Sequence, residues 1–348
     1  MKKTKQINVG GVLIGGGAPV SVQSMTNTKT ENINETVAQI KRLEAAGCQI
    51  VRIAVPNKSA AAAIYKIKEA VNIPVVADIH FDYRLAVLAA EAGADKIRIN
   101  PGNIGGKENV KAVVQACARR SIPIRIGVNS GSIEKPILSK YGSATPDAML
   151  ESAYGHIELL NYFDFDHICV SLKASDVPST VTANVMASER IDYPLHIGIT
   201  EAGGGELAVV KSAMGIGALL LSGIGDTIRV SLTGDPVHEV VSGIEILHAS
   251  GCRKDGIEII SCPTCGRTDI DLEKLLKEVQ LKLKDCDKNI KVAVMGCEVN
   301  GPGEAAAADY GIAGGVNYGI LFKKGVKIAK VPADGLADAL KKLIDEDR

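Results

Sequence analysis

Aromatic residues are nearly missing from this 348-residue chain: they make up 3 %, and there is no tryptophan. A surface that stacks nucleic-acid bases needs several such rings, so that class of function is disfavoured. Net charge is missing as well. Lys+Arg and Asp+Glu both number 40, so no overall field draws the chain to nucleic acid or anionic lipid. Attraction for anions has to come from where individual charges sit. No apolar run approaches the roughly 20 residues of a membrane span. The opening "MKKTKQINVGGVLIGGG" has lysines but no apolar core of the kind a signal peptide needs. The expectation is a cytoplasmic protein.

What is present is apolar bulk, 46 % of residues, in a chain long enough for one large domain and a smaller one. Eight cysteines in a reducing compartment imply free thiols, metal ligands or redox chemistry rather than a disulfide scaffold. From residue 20 to about 250, short β-branched runs alternate with Ala- and Leu-rich amphipathic stretches. The runs are "PVSVQSM", "IVRIAVP", "PVVADIH", "KIRINPG", "PIRIGVN", "HICVSLK", "LHIGITE" and "TIRVSLTG". Strands alternating with helices give a parallel sheet, and eight such units are the number that closes a TIM (β/α)8 barrel. A doubly wound open sheet is the other arrangement, but no GxGxxG follows the first strand. "INVGGVLIGG" ahead of it reads as a hairpin that plugs the barrel floor. Residues 1–250 are therefore expected to form the barrel. After "HASGCRKDG" the rhythm changes, and residues 257–348 read as a small α/β domain on a short linker.

Four of the barrel strands carry an arginine between apolar neighbours: Arg52, Arg98, Arg125 and Arg229. A fifth strand ends in Lys173. Parallel barrel strands are covered on both sides, so a charge inside them costs several kcal/mol unless paired. One such residue is ordinarily a structural ion pair, and Arg229 is a candidate for that role. Five near the C-terminal strand ends, where barrel enzymes work, point elsewhere, because those strands offer few acids as partners. Guanidinium forks suit phosphate oxygens, so a small diphosphate would satisfy the set. Asn129 and Ser231, past the ends of charged strands, could add neutral hydrogen bonds. Glu201, in "ITEAGGGE", is either an acid favoured near a helix N-terminus or a carboxyl poised to donate a proton beside bound phosphate. His80 and His196 are read as core or incidental residues.

The second domain holds "SCPTCGR", with Cys262 and Cys265 in CxxC spacing, and later "MGCEVNGPGE", with Cys297 and Glu304. CxxC alone fits zinc, thioredoxin-like chemistry or an iron–sulfur cluster. A thioredoxin motif leaves the third thiol idle. A structural zinc site wants four N/S ligands, but no histidine lies past residue 248 and Cys286 has no partner at ligand spacing. Three thiolates leave one metal position for something weaker, and the turn Asn300–Gly303 could bring Glu304 back beside Cys297. A 4Fe–4S cube held by three sulfurs and one carboxylate is asymmetric, and the oxygen-bound iron would be the exchangeable one, able to act as a Lewis acid. Cys48, Cys117, Cys169 and Cys252 read as core or bystander thiols.

"SCPTCGR" with "GCEVNGPGEA", behind an eight-unit barrel beginning "PVSVQSMTNT", resembles the 4-hydroxy-3-methylbut-2-enyl diphosphate synthases of the non-mevalonate isoprenoid pathway, in their bacterial two-domain form. The likeness runs over essentially the whole chain. It implies a 4Fe–4S cluster on Cys262, Cys265, Cys297 and Glu304. It also implies a cyclic diphosphate substrate held by Arg52, Arg98, Arg125, Asn129, Lys173 and Ser231, with Glu201 in an acid–base role. Further implications are flavodoxin or ferredoxin as electron donor, and a homodimer in which the cluster domain of one subunit closes over the barrel of the other. The competing readings are a phosphate- or pterin-binding barrel transferase with a structural zinc domain, and a non-catalytic iron sensor on an enzyme frame.

Overall fold

Isoleucine, valine and alanine alternate with polar residues along the first two-thirds of the chain, and that alternation sorts side chains to two faces of a closed sheet. The computed structural model describes residues 3–268, 270–297 and 307–347. It divides into two units, Met1–Arg253 and Lys254–Arg348. The first unit opens with an antiparallel pair, β1 (Ile7–Val9) and β2 (Val12–Ile14). Eight parallel strands follow: β3 (Ser21–Met25), β4 (Ile50–Ala54), β5 (Val75–Asp78), β6 (Lys96–Ile99), β7 (Ile124–Asn129), β8 (Ile168–Lys173), β9 (His196–Ile197) and β10 (Thr227–Ile228). Their order is β8-β7-β6-β5-β4-β3-β10-β9. A parallel bridge between Val170 and Leu195 joins the two ends of that order, supported by the Val170 N–H donating to the Pro194 carbonyl at 2.9 Å. The expected eight-unit barrel is thus what forms, near-closed, with its thinnest seam at the two-residue strands β9 and β10.

Between the strands run α1 (Ile33–Ala45), α2 (Lys58–Ala70), α3 (Tyr83–Glu91), α4 (Lys107–Arg119), α5 (Lys135–Tyr141), α6 (Pro146–Asn161), α7 (Val177–Arg190), α8 (Gly205–Leu221) and α9 (Pro236–Ala249). Several begin on a side-chain cap: Asn57, Asp82, Thr145, Asp176 and Asp235 each accept a hydrogen bond from the first turn. Each such cap satisfies an N–H that would otherwise be orphaned, worth about 1 kcal/mol. The outward strand residues, among them Val51, Ile53, Val75, Ile97, Ile99, Ile124 and Ile126, pack with the inner faces of these helices into one apolar layer. At the N-terminal end, Ile7, Val9 and Ile14 of the β1–β2 hairpin pack on Ile50, Val76 and Cys169 and close the barrel floor.

The second unit is a five-stranded sheet in the order β11 (Ile257–Ser261), β12 (Ile290–Met295), β13 (Tyr310–Gly315), β14 (Tyr318–Lys323), β15 (Val326–Pro332). The first three strands are parallel and the last two antiparallel. Lys324 and Gly325, at φ of 48° and 75°, make the two-residue turn between β14 and β15. Helices α10 (Leu272–Leu283) and α11 (Leu336–Glu346) pack on one face, where Leu275, Val279, Leu340 and Ile344 meet Val292, Val294, Ile312 and Leu321. Among the described residues, no helix is long and apolar enough to cross a membrane.

Candidate active site

Strand alternation decides where the charged residues go. Val51 and Ile53 flank Arg52 and face the helices, as do Ile97 and Ile99 around Arg98 and Ile124 and Ile126 around Arg125. With period 2 the arginines must then point into the barrel. Arg98 is 7 % exposed, Arg125 2 % and Lys173 6 %. Register places Asp78 beside Arg98, and Arg98 beside Arg125. The structure therefore points Arg52, Arg98, Arg125, Lys173 and Arg229 into one barrel interior, but not all at one height. Lys173 ends β8, whereas Arg125 is the second residue of β7, opposite Cys169, which corrects the expectation that all five sit near the C-terminal strand ends.

The expectation that these strands offer few acids needs correction. Asp78, the last residue of β5, is 2 % exposed. It accepts from Arg98 Nη1 at 3.1 Å, pairs with Arg52 Nε at 3.8 Å and has His80 Nε2 at 3.3 Å. Burial alone would push its carboxyl up. Arg52, then the hydrogen bond from His80, then Arg98 outweigh that and hold it well below the ordinary range. Glu239 on α9 pairs with Arg229 at 3.3 Å while accepting from Ser24 Oγ and the Leu232 N–H, both at 3.0 Å. Arg229 thus has a structural partner from the helix layer.

Arg125 and Lys173 have no carboxylate partner among the described residues. Arg125 Nη1 donates to Ser171 Oγ at 2.7 Å, while its Nε and Nη2 are buried without a partner. Burial, then the fields of Arg52 and Arg98, lower the Arg125 pKa well below its ordinary value. Lys173 is lowered in the same direction, by burial first and then by Arg125, Arg229, Arg52 and Arg98. Cations packed so that each opposes the next, with too few acids, describe a receptor for an anion. Gly127 makes the crowding possible: a Cβ there would stand 2.4 Å from Arg98 Nε.

The neutral candidates sit at the same end. Asn129 ends β7, and its side chain caps the short 3-10 turn Ser130–Ser132, whose Ser132 hydroxyl lies 3.2 Å from the Asn129 N–H. Part of its hydrogen-bonding capacity is therefore spent on the loop. Ser231 is half-buried past the end of β10. Glu201 is exposed and holds φ at 52°, the left-handed region that costs a non-glycine residue of order 1–3 kcal/mol. Its loop is anchored by Thr200 N–H to Ala174 O and Thr233 N–H to Gly203 O, which bring the ends after β8, β9 and β10 together. Asp78, and the His80 bonded to it, are site residues that sequence reasoning passed over. The available signal was an acid on the inward register of a strand flanked by two arginine strands.

In the second unit, β11 and β12 run parallel with Ser261 opposite Val294, so Cys262 and Cys297 leave neighbouring strand ends. The Gly296 N–H donates to Cys262 Sγ at 3.2 Å. Cys297 is 7 % exposed. Cys265 is exposed, and its thiol pKa is lowered, chiefly by hydrogen bonds from the Arg267 backbone and side chain. Among the described residues no three His, Cys, Asp or Glu side chains stand close enough to hold a metal ion. Glu304 and the turn Asn300–Gly303 lie outside the described residues. The donor chemistry nonetheless fits an iron–sulfur group: Cys262 and Cys297 at adjacent strand ends, a backbone N–H aimed at the Cys262 sulfur, and a third thiol, Cys265, with a lowered pKa.

Two family models match the chain end to end. The GcpE TIM-barrel domain matches residues 4–244 and the GcpE protein C-terminal domain residues 258–346. The chain belongs to the GcpE family. A protein of Caldanaerobacter subterraneus named 4-hydroxy-3-methylbut-2-en-1-yl diphosphate synthase (flavodoxin) is 58 % identical over 345 residues, covering 99 % of this chain and 97 % of its own. One of the same name from Clostridium perfringens is 57 % identical, covering 99 % of each. Among solved structures, the dihydropteroate synthase of Yersinia pestis matches with a TM-score of 0.51 at 12 % identity, covering 71 % of this chain and 97 % of that one. At that identity the likeness speaks to the fold alone. It places this GcpE-family barrel among the parallel (β/α)8 frames.

Proposed function

We propose that this chain catalyses the reductive opening and dehydration of 2-C-methyl-D-erythritol 2,4-cyclodiphosphate to 4-hydroxy-3-methylbut-2-enyl diphosphate. The observation that carries the reading is the presence of two buried cations inside the barrel, Lys173 at the end of β8 and Arg125 lower on β7. Both lack a carboxylate partner among the described residues, in a chain whose second unit brings two cysteines to adjacent strand ends. The first feature suits a diphosphate and the second a redox group.

Arg125 and Lys173 bind the diphosphate oxygens, and Arg98 adds the N–H groups not committed to Asp78. Arg52 and Asp78 set the height at which the ring sits, while Asn129 and Ser231 give neutral hydrogen bonds. Arg229, tied to Glu239, tunes the field from behind. Cys262, Cys265, Cys297 and Glu304 would hold a 4Fe–4S cluster, which would pass the two electrons from the donor one at a time and offer one iron with an exchangeable position. A ring C–O bond breaks and a hydroxyl leaves as water, for which Glu201 provides the proton. The left-handed backbone of Glu201 is consistent with a position held for chemistry rather than for stability.

The electrons come from flavodoxin or ferredoxin, and the enzyme works in the cytoplasm as a homodimer with one copy's cluster unit over the other's barrel. An apolar stripe on α8 supports contact between copies: Leu207, Val210, Met214 and Leu221 are 66, 49, 61 and 75 % exposed at helical spacing. The test is turnover by anaerobically purified protein with reduced flavodoxin and the cyclic diphosphate. Formation of the allylic diphosphate is expected. A zinc-loaded, colourless protein without turnover would sink the proposal.

A further inference from the structure

The barrel floor is as polar as its mouth, and nothing in the proposed reaction uses it. Barrel interiors of this kind are normally filled by layers of branched apolar side chains. Here the inward positions just above the β1–β2 plug include, beside Ile50, Val76 and Cys169, five polar residues: Ser21 and Gln23 of β3, Lys96 of β6, His196 of β9 and Thr227 of β10, each 0–1 % exposed. Lys96 Nζ, both nitrogens of His196, both polar atoms of Gln23, and the hydroxyls of Ser21 and Thr227 are all buried without a partner. So are Nε and Nη2 of Arg125 directly above. Buried polar atoms almost always find partners, and this many orphans around one axis mean that something fills the space between them.

We propose that the barrel floor is a binding site for a small monovalent anion of the halide class, held by Lys96 and His196 with Gln23, Ser21 and Thr227 around it. These residues share one chamber. Thr227 is opposite both His196 and Ser21 in register. Lys96 feels the fields of Arg125 and Arg52, and His196 those of Lys173, Arg125 and Lys96. Lys96 lies two residues below Arg98 on β6, about 7 Å deeper than the mouth cations, so a substrate bound at the mouth does not neutralise it.

The charge needs an anion. Among the described residues that act most strongly on Lys96, the acidic one is the Cys169 thiol, and burial pushes that thiol's pKa up, so it stays protonated. Asp226 is committed to the Leu195 N–H at 2.8 Å and Thr4 Oγ1 at 2.8 Å. The donor set favours a small sphere over an oxyanion. Burial holds His196 neutral, with one ring N–H to give, and Lys96 and His196 are single-point donors that lack the paired fork a carboxylate or phosphate prefers.

Two measurements on the anaerobic holoenzyme test this. Crystals grown in bromide should show one anomalous peak between Lys96 and His196, absent from Lys96→Met. In solution, replacing gluconate by chloride at constant ionic strength and pH should raise the melting temperature saturably, by about 5 °C or more once chloride is a hundredfold above its Kd. A peak without a saturable shift would mean an adventitious ion only and would overturn the proposal. Ordered waters at the floor, with a melting temperature indifferent to chloride, would overturn it as well. Both arms are read on the wild-type protein, so a Lys96→Met chain that fails to fold leaves the outcome decided. Neither depends on turnover, so the result stands apart from that of the proposed reaction.

Discussion

Replacing Asp78 by Asn removes the carboxylate that faces Arg52 and Arg98 inside the barrel while keeping its shape. Two arginines and a histidine lose their counter-charge at 3.1, 3.8 and 3.3 Å, in a site where the acid side chain is 3 % exposed. Breaking a buried ion pair from one side costs on the order of 3–5 kcal/mol. For a unit of this size each kcal/mol moves the midpoint by roughly 2–4 °C, so Asp78→Asn should melt about 6–20 °C below the wild type at pH 7. Circular dichroism on the full chain in low salt reads this directly. The sign of the pH dependence follows from the depressed pKa. A carboxyl held below its ordinary value stabilises fully above pH 4 and progressively less as pH falls toward its folded-state value. The gap between variant and wild type should therefore be flat from pH 5 to 8 and narrow in acid. Pyrophosphate, which brings its own negative charge to the mouth, should stabilise the variant more than the wild type. A variant as stable as the wild type at pH 7 would refute the reading of Asp78 as the counter-ion of the cluster.

Gly127→Ala should push Arg98 off its place, since the added carbon would stand 2.4 Å from Nε; losing one charge-assisted bond of about 1.5–3 kcal/mol predicts a tenfold to hundredfold fall in kcat/KM, with the fold retained by circular dichroism. Glu201→Gly relieves a left-handed backbone at φ 52°, so it should melt higher by the equivalent of about 1 kcal/mol yet lose turnover, whereas equal loss of both would argue against a catalytic carboxyl. Glu134, 2.5 Å from His156 Nε2, is held at about 2: burial raises its pKa, but His156 and Ser152 lower it more. Its stabilisation should be complete above pH 4.5 and fade toward pH 2, so Glu134→Gln should cost stability at pH 7 and nothing in strong acid, as a pH series of melting curves would show.

Much of the barrel was legible because two periods reinforced each other. An arginine between isoleucines, repeated on "VRI", "IRI" and "IRI", leaves only one face for charge once the strand is covered by helices, and Gly- and Asn-rich loops mark the strand ends. Asp78 was not legible for a physical reason. An acid ending a strand reads like a loop residue until β5 is known to lie between β4 and β6, in register with Arg98. Lys96 was visible in "KIR", two residues from Arg98 and so on the same face, but only closure of the barrel makes that face an interior. The cysteine spacing marked candidate donors; that Cys262 and Cys297 leave neighbouring strand ends depends on β11 and β12 pairing in parallel, which spacing alone does not determine. Arg229 shows the converse. It shares the motif of the other three, but Glu239 reaches it from α9, a contact between distant segments that no strand pattern records.

Iron nuclei report their ligands one by one, so the central claim is tested most directly by Mössbauer spectroscopy of 57Fe-enriched protein purified without oxygen. The account predicts a 4Fe–4S cluster with one iron distinct from the other three, and loss of that distinction when Glu304→Cys supplies a fourth sulfur. A wild-type spectrum with four equivalently ligated irons, or protein that carries zinc in place of iron, would contradict it.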